Sequence, residues 1–150
     1  MIDLQLTRFQ SDLTTKKADD KRWIYDPFRK KWLVLLPEEL VRQLFLQYLI
    51  QEKKYNKNFI GIEQQLTVNT LQKRCDILVY DPEINPWLIV ECKAPRVKID
   101  DKVLHQIITY NMELQVQYLV LTNGIQTFCG SIDYKAGTYN FLPALPSFPI

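Results

Sequence analysis

Two apolar segments that flank a turn with two prolines constrain the fold of this chain more than any other feature. Residues 74–80 and 87–92 each have the length and the aliphatic and aromatic content of a buried strand. Between them lies DPEINP, residues 81–86, whose two prolines cannot both belong to a central strand. The pattern predicts an antiparallel hairpin in which Tyr80 lies opposite Trp87.

Four charged side chains stand near the open end of this predicted hairpin. Its register places Asp76 opposite Glu91. Two residues further out, Arg74 lies opposite Lys93. Because side chains alternate between the two faces of a strand, all four emerge on one face. The other face is expected to carry Cys75, Ile77, Val90 and Cys92.

Two facing carboxylates need a positive charge between them. Directly opposed Cβ atoms lie about 4.5–5.5 Å apart, so Asp76 and Glu91 would repel each other. Mg²⁺ relieves such repulsion because it takes hard oxygen ligands at about 2.0–2.1 Å, and the backbone carbonyl of Cys92 could supply a third oxygen. Lys93 would stand beside the metal, near a water molecule aligned on a phosphorus atom. The same residues also permit a plainer interpretation, an ordinary charge cluster at a sheet edge, since an E-x-K triplet is weak evidence by itself.

The rest of the chain alternates helical and strand patterns. Pro37 opens a helix predicted to reach about residue 53, with apolar residues at helical spacing. Further strands are predicted at residues 60–68, 117–121, 125–129 and 138–141, and a second helix at residues 100–115. The order of helix, three strands, helix and strands predicts an α/β fold with a mixed central sheet flanked by helices.

The length of the chain, 150 residues, predicts a single domain that spans residues 1–150. Its first 30 residues or so are predicted to form an irregular N-terminal arm with a short strand near residues 23–25, and residues 142–150 a Pro-rich tail. The first 36 residues hold eight Lys or Arg against five Asp. This balance suits either a basic arm or a solvated surface.

Composition narrows the classes of protein that need to be considered. The net charge of +2 is too small to indicate nucleic-acid binding by itself. Three cysteines in apolar segments, without CxxC spacing, predict reduced core thiols in a cytoplasmic protein. Since no segment reaches the roughly 18 apolar residues of a membrane span, we expect no membrane partner.

The segments PEELVRQLFLQYL, KRCDILVYDPEINPWLIVECKAP, HQIITYN and YLVLTNG, taken together, resemble a known family. They are similar to the N-terminal nuclease domain of type I restriction enzyme R subunits, and more closely to small stand-alone proteins built around that domain. The resemblance covers roughly residues 25–145. It implies a PD-(D/E)xK nuclease with a restriction-endonuclease-like core, in the order αβββαβ, which agrees with the predicted elements.

The resemblance assigns roles to five residues of the motif. Asp76 and Glu91 match the metal-binding carboxylates, and Lys93 matches the catalytic lysine. Gln106 and Tyr110 match a QxxxY motif on the second helix of related nucleases. These two are four residues apart and therefore lie on the same side of a helix. Without the motif, Tyr110 would be interpreted as core packing and Gln106 as a surface residue.

The first helix of such nucleases often carries an acidic residue that reaches the metal, and here both Glu38 and Glu39 are candidates. On a helical wheel Glu38 lies about 80° from the centre of the apolar stripe and Glu39 roughly opposite it, so Glu38 is the predicted ligand. Both glutamates also suit the positive end of the helix dipole. Arg74 is a candidate for binding DNA, whereas His105 is left as a surface or core residue.

The implied function is a Mg²⁺-dependent DNA endonuclease, with Mn²⁺ as a substitute metal. The 150 residues contain no GxxxxGK[ST] loop and no DExx box, so we expect no ATP-driven translocation by this chain. A motor or methylase subunit and a second copy of the chain are the implied protein partners. Two alternatives stay open: a catalytically silent DNA-binding or partner-binding module with the same fold, and an interaction protein whose charged cluster is structural.

Overall fold

The computed structural model describes all 150 residues and contains two β-sheets. Strands β1 (Thr15–Ala18), β2 (Lys21–Asp26) and β3 (Lys31–Val34) form a small antiparallel sheet. The main sheet has six strands in chain order: β4 (Ile60–Val68), β5 (Leu71–Tyr80), β6 (Pro86–Cys92), β7 (Tyr118–Thr122), β8 (Thr127–Asp133) and β9 (Thr138–Phe141). Strands β6 and β7 are parallel and all other neighbours are antiparallel. The predicted α/β fold with a mixed sheet is confirmed.

Two α-helices cover opposite faces of the main sheet. Helix α1 (Pro37–Gln51) packs on one face, where its apolar residues form the larger apolar cluster together with Ile77, Leu88 and Val90 of the sheet. Helix α2 (Asp101–Met112) lies over the smaller clusters on the other face, which contain Leu78 and Ile89. Because β6 and β7 are parallel, the chain must cross from one end of the sheet to the other between them, and α2 forms this crossover.

Helix α1 begins where the sequence predicts, with Pro37 in the first turn, and ends at Gln51 rather than near residue 53. Its six consecutive residues 41–46 are all buried, so that the helix is covered on nearly every side. Helix α2 is shorter than predicted. It begins after Asp100, whose side chain accepts the N–H of Val103 over 2.9 Å as an N-cap, and its last residue is Met112.

The prediction of an irregular N-terminal arm is wrong, although the short strand predicted near residues 23–25 lies within β2. A 3₁₀ helix occupies Leu6–Asp12, and the small sheet follows it. Its strands have only four to six residues, and charged side chains occupy the middle of β1 and the start of β2 and of β3, so a clear apolar alternation is absent. The β1–β2 turn is made by Asp19 and Asp20, with φ of 53° and 60°, instead of the glycine that normally marks such a turn.

The C-terminal tail after Phe141 contains no helix or strand, as predicted for residues 142–150, and it packs on the main domain. Leu145 is buried, and the hydroxyl of Tyr55 donates to the carbonyl oxygen of Pro146 over 2.6 Å. The ring of Phe148 lies against those of Tyr55, Phe59 and Trp87. These contacts cover the end of the main cluster.

The three cysteines, Cys75, Cys92 and Cys129, are free and buried, as predicted. Neither α-helix is long and apolar enough to cross a membrane.

Replacement of Phe45 by Ala should lower the free energy of unfolding by about 3–5 kcal/mol, since this fully buried ring fills the main cluster beneath α1. Phe141→Ala is the matched control, because Phe141 is 58% exposed. Urea unfolding followed by circular dichroism measures both changes. Similar losses in the two variants would contradict the assigned core.

Candidate functional site

The predicted hairpin exists, with the predicted register over its centre. Strands β5 and β6 pair Ile77 with Val90 and Val79 with Leu88. The register shifts by one residue at the turn, where Tyr80 pairs with Pro86 instead of Trp87. At the other end the ladder stops at Ile77, so Asp76 and Glu91 lie just beyond its last pair.

The two carboxylates beyond the ladder have different partners. Oδ2 of Asp76 accepts the backbone N–H of Cys92 over 2.8 Å, and Oδ1 accepts Nη2 of Arg42 over 3.2 Å. Glu91 is buried and forms an ion pair with Lys73. The structure thus provides a counter-charge for each carboxylate from the chain itself, Arg42 from α1 and Lys73 from β5.

Strand β5 departs from the simple alternation of faces that the sequence predicts. Glu63 in β4 has a φ of 53°, and the ladder between β4 and β5 has no pair between Glu63 and Asp76. On the far side of this break Cys75 packs with Leu78 in the cluster below α2, although strict alternation would place it with Ile77. The predicted position of Cys75 on the face of Ile77 is therefore wrong.

The same irregularity changes which basic residue of β5 faces Glu91. Arg74 was predicted to share the face of the carboxylates, but its side chain is exposed and makes no hydrogen bond or ion pair. Its neighbour Lys73 contacts Glu91 and also donates to Oδ1 of Asn111 over 3.2 Å. A role of Arg74 in binding DNA stays a prediction, but it would act from outside this cluster.

The two glutamates at the start of α1 have distinct environments. Glu39, placed by the helical wheel on the solvent side, is instead buried, because the loop after β2 covers that side of the helix. Its oxygens accept hydrogen bonds from Arg29, Arg42 and Gln43 over 2.9–3.1 Å. Glu38 is exposed and makes no hydrogen bond or ion pair.

An ionic network links the small sheet to the site. Asp26 is fully buried and forms an ion pair with Arg29, which donates to Glu39 from its other side. Arg42 bridges Glu39, Glu63 and Asp76 over 3.1–3.3 Å. Burial opposes the charge of Arg29, but its hydrogen bonds to Asp26 and Glu39 outweigh burial and raise its pKa.

The electrostatics show which groups are close to one another. Partial burial and the negative charge of Asp76 raise the pKa of Glu38, against the opposing effect of Arg42 and Lys93. Burial lowers the pKa of Lys73, and the positive charge of Lys93 adds to this effect against Cys75 and Asp76. Burial, followed by the charge of Asp76, raises the pKa of Cys92, so its thiol stays neutral.

Lys93 differs from the other charged groups of the cluster. Its backbone N–H donates to the carbonyl oxygen of Thr122 over 2.8 Å and anchors the end of β6 to β7. Lys93 as a residue is half-buried, and its ammonium makes no hydrogen bond or ion pair. It influences the titration of Glu38 and Lys73, so it lies near both. It is therefore a cation held at the site and available to an anionic ligand.

The carboxylates have the right chemistry for a divalent cation. Glu38, Asp76 and Glu91 supply the hard oxygen donors that Mg²⁺ prefers. Burial and then the negative charge of Asp76 raise the pKa of Glu38, so a cation between these two carboxylates would relieve their repulsion. No three acidic, histidine or cysteine side chains converge as a ready-made metal centre, since Asp76 and Glu91 are turned to Arg42 and Lys73. A cation would therefore compete with these two basic side chains.

The residues of the predicted QxxxY pair lie on the solvent side of α2. Gln106 and Tyr110 are both exposed and border a shallow cavity together with His105. Nζ of Lys73 lies 5.0 Å from the centroid of the Tyr110 ring, a cation–π distance. Tyr110 is thus connected to Glu91 through Lys73, whereas Gln106 has no side-chain contact with the cluster.

Four residues of the site were missed by sequence reasoning: Arg29, Arg42, Glu63 and Lys73. Arg42 carried a signal, since it lies between buried apolar positions of α1 and a charge there needs a partner. Lys73 carried none, because alternation from Asp76 places it on the opposite face. Arg29 and Glu63 depend on contacts between segments far apart in the chain.

The pKa of Glu38, followed by NMR titration of its carboxyl carbon, should exceed the ordinary value of glutamate. Asp76→Asn should lower it, since a neighbouring negative charge is removed, whereas the exposed Asp133→Asn should leave it unchanged. Because the folded-state pKa of Glu38 is raised, its protonated form stabilises the fold relative to its ionised form. This contribution is present below the ordinary pKa of glutamate and is lost as the pH rises through the raised value. As the pH rises over that range, Glu38→Gln should therefore lose less stability than the wild type. A pKa of Glu38 that does not change in Asp76→Asn would contradict the proximity of these two carboxylates.

Arg42→Met should lower the free energy of unfolding by about 3–5 kcal/mol, because Glu39 and Asp76 would lose a buried counter-charge. Arg74→Met provides a control of the same chemistry, and its exposed side chain predicts a change within about 0.5 kcal/mol. Urea unfolding of both variants at neutral pH tests the network. Equal small changes would show that Arg42 contributes no more than a surface residue.

Comparison with known families agrees with the sequence resemblance. A comparison with curated proteins finds no match. The family model described as type I restriction enzyme R protein N terminus matches residues 37–146, from the first turn of α1 to the C-terminal tail. This range contains α1, the whole main sheet and α2, and hence Glu38, Asp76, Glu91 and Lys93. The chain belongs to the family of the type I restriction enzyme R protein N terminus.

Proposed function

We propose that this chain is a metal-dependent nuclease module that hydrolyses phosphodiester bonds of DNA. Family membership supports a nuclease-related role in restriction. The observation that carries the proposal is the placement of Lys93, an unpaired cation at the end of β6, beside Glu38 and Asp76. Such a group can contact a phosphate or its attacking water without breaking an existing ion pair.

The proposal includes a restriction-endonuclease-like core for the α/β fold. The elements from α1 to β7 follow the order αβββαβ, and the parallel pair β6–β7 presents Lys93 at the end where its backbone bonds to Thr122. Glu91 precedes Lys93 by two residues and emerges from the same strand. This order supports the D…ExK assignment of Asp76, Glu91 and Lys93.

The proposed cofactor is Mg²⁺, with Mn²⁺ as a substitute, held by Asp76, Glu91 and Glu38, with the Cys92 carbonyl as a further oxygen. When bound, the ion would supply the Lewis acid that lowers the pKa of a water molecule and neutralises phosphate charge. The backbone N–H of Cys92 orients the Asp76 carboxylate. Arg42 and Lys73 place a positive charge beside Asp76 and Glu91, respectively.

Lys93 has the proposed role of orienting the attacking water or stabilising the negative charge that develops on the phosphorane oxygens. Tyr110 would act from α2 through its contact with Lys73, which in turn holds Glu91. Gln106, which is exposed one turn earlier on the same helix, would contact the DNA backbone. Arg74 would bind DNA from the exposed side of β5.

The remaining parts of the proposal concern the setting of the protein. Cleavage of both strands of a duplex needs two sites, which a second copy of the chain or a restriction subunit could provide. The three buried free thiols suit a reducing compartment such as the cytoplasm.

Asp76→Asn and Lys93→Ala should each reduce Mg²⁺-dependent cleavage of DNA by at least about 100-fold, because each removes a group that acts on the transition state. Lys135→Ala, which removes an exposed lysine from the β8–β9 turn, is the matched control and should cleave like the wild type. Calorimetric titration with Mg²⁺ and Mn²⁺ separates the roles, since Asp76→Asn should lose metal binding and Lys93→Ala should keep it. Equal cleavage by all four proteins would reject the assignment.

A wild type that binds DNA but cleaves none of a panel of duplex, single-stranded and branched substrates would instead indicate the silent binding module. In that case the pairing of Asp76 with Arg42 and of Glu91 with Lys73 would be the resting state of a structural charge cluster. If the wild type binds no metal, either alone or with DNA, the silent binding module would again be indicated.

A further inference from the structure

The small N-terminal sheet lies outside the part of the chain that the family model matches, residues 37–146. Its two faces differ in character. The inner face buries Ile24 and Asp26 completely. The outer face carries the neighbours of these residues in β2, Trp23 and Tyr25, and direct pairing places Trp32 of β3 beside Tyr25. Three aromatic side chains therefore share one face of a three-stranded sheet.

This aromatic face is accessible. Trp32 is 36% exposed, Trp23 and Tyr25 are half-buried, and none of the three belongs to an apolar cluster of the domain. The rings of Tyr25 and Trp32 meet edge to face, with centroids 5.5 Å apart. The indole N–H of Trp23 donates to the carbonyl oxygen of Ala18 over 3.1 Å, which fixes its ring on the sheet. The hydrogen bond and the ring contact thus hold Trp23, Tyr25 and Trp32 in place on an accessible face.

Basic side chains surround the same face. Lys16 pairs with Trp23 across the sheet, and its Nζ lies 4.1 Å from the centroid of the Trp32 ring. Lys21 emerges on the same face at the start of β2. Residues 15–34 contain seven Lys or Arg against three Asp, a net charge of +4, whereas the whole chain has a net charge of +2. The positive charge of the molecule is therefore concentrated on this sheet.

Aromatic rings and lysines on one sheet face match the chemistry of unpaired nucleotides. Bases stack on aromatic rings irrespective of sequence, and lysines contact the phosphates between them. A duplex does not fit this chemistry as well, because its bases are stacked on one another and unavailable. An acidic peptide would satisfy the lysines but would make no use of three rings.

The sheet is also continuous with the candidate site. The ion pair between Asp26 and Arg29 ties the end of β2 to Glu39 of α1. A cavity of about 400 Å³ lies between β3 and the site, lined by Leu33 and Val34 on one side and by Glu38, Arg42 and Glu63 on the other. Val34 lies opposite Trp23 across the sheet, so the aromatic face borders this cavity at Val34.

We propose that the outer face of the N-terminal sheet, formed by Lys16, Lys21, Trp23, Tyr25 and Trp32, binds single-stranded DNA and guides it toward the candidate site. The choice of DNA rests on the proposed nuclease function. The binding itself needs no metal and no catalysis.

The test measures the affinity of the full chain for a fluorescein-labelled twelve-residue oligothymidylate by anisotropy, at low salt and in EDTA. Trp32→Leu should weaken binding by about 5- to 100-fold, since it removes a stacking surface. Trp32→Phe keeps an aromatic ring and should retain most of the wild-type affinity. Lys16→Ala should weaken binding and reduce the salt dependence of log K by about 0.7. Circular dichroism verifies that each variant is folded.

Matched controls come from another part of the molecule. Phe141→Ala removes a ring that is 58% exposed on β9, and Lys135→Ala removes an exposed lysine, so both should bind like the wild type. Losses in the two control variants as large as those in Trp32→Leu and Lys16→Ala would overturn the inference, because binding would then be a property of the whole surface.

Other outcomes separate this inference from the proposed function. A wild type that cleaves duplex DNA but does not bind the oligothymidylate would overturn the inference and leave the nuclease assignment in place. Binding that depends on Trp32 in a protein that cleaves nothing would support the inference and remove the nuclease assignment. Tighter binding of oligouridylate would change the substrate class to RNA and overturn the choice of DNA. If neither strand binds and the protein instead self-associates in a way that Trp32→Leu abolishes, the face is a protein interface and the inference is overturned.

Discussion

The buried ion pairs between the two arginines, Arg29 and Arg42, and the acidic side chains around them organise the site. They connect three segments that are far apart in the chain: the end of the small sheet, the first turns of α1, and the strands β4 and β5. Burying these charges is costly unless each has a partner in good geometry. The network therefore determines how the small sheet can lie on α1, and it holds Asp76 where the β5–β6 ladder ends.

The charged residues of the site form two groups, those that several partners hold and those that have no partner. Glu39 and Arg42 are buried and Arg29 is half-buried, and all three are bound on several sides, so they belong to the scaffold. Glu38 and Lys93 have no partner and lie next to this scaffold. A site for a hydrated cation and a phosphate needs both kinds of residue, because a rigid support positions the groups that must be free to bind. The small sheet adds to the support and brings an exposed basic and aromatic face to the edge of the site.

Where sequence reasoning failed, the failure has a local cause. The alternation rule holds in β6, where Val90 and Cys92 share the main cluster, but not in β5, where Cys75 and Ile77 do not. The break in β5 coincides with a positive φ at Glu63 on the neighbouring strand, a conformation that the local sequence does not indicate. The helical wheel failed at Glu39 for a related reason, since a wheel assumes one buried face and α1 is covered on nearly all sides.

The sequence by itself determined the order of the helices and the main strands, the central register of the β5–β6 hairpin and the family, because these depend on residues close together in the chain. Apolar periodicity, two prolines and a D…ExK spacing are local signals that survive without any knowledge of tertiary contacts. Only the tertiary structure decided that Lys73 rather than Arg74 faces Glu91, that Glu39 is buried, and that the N-terminal residues form a sheet. These features arise from pairing between distant segments, and the free energy of a buried charge depends on partners that the local sequence does not contain.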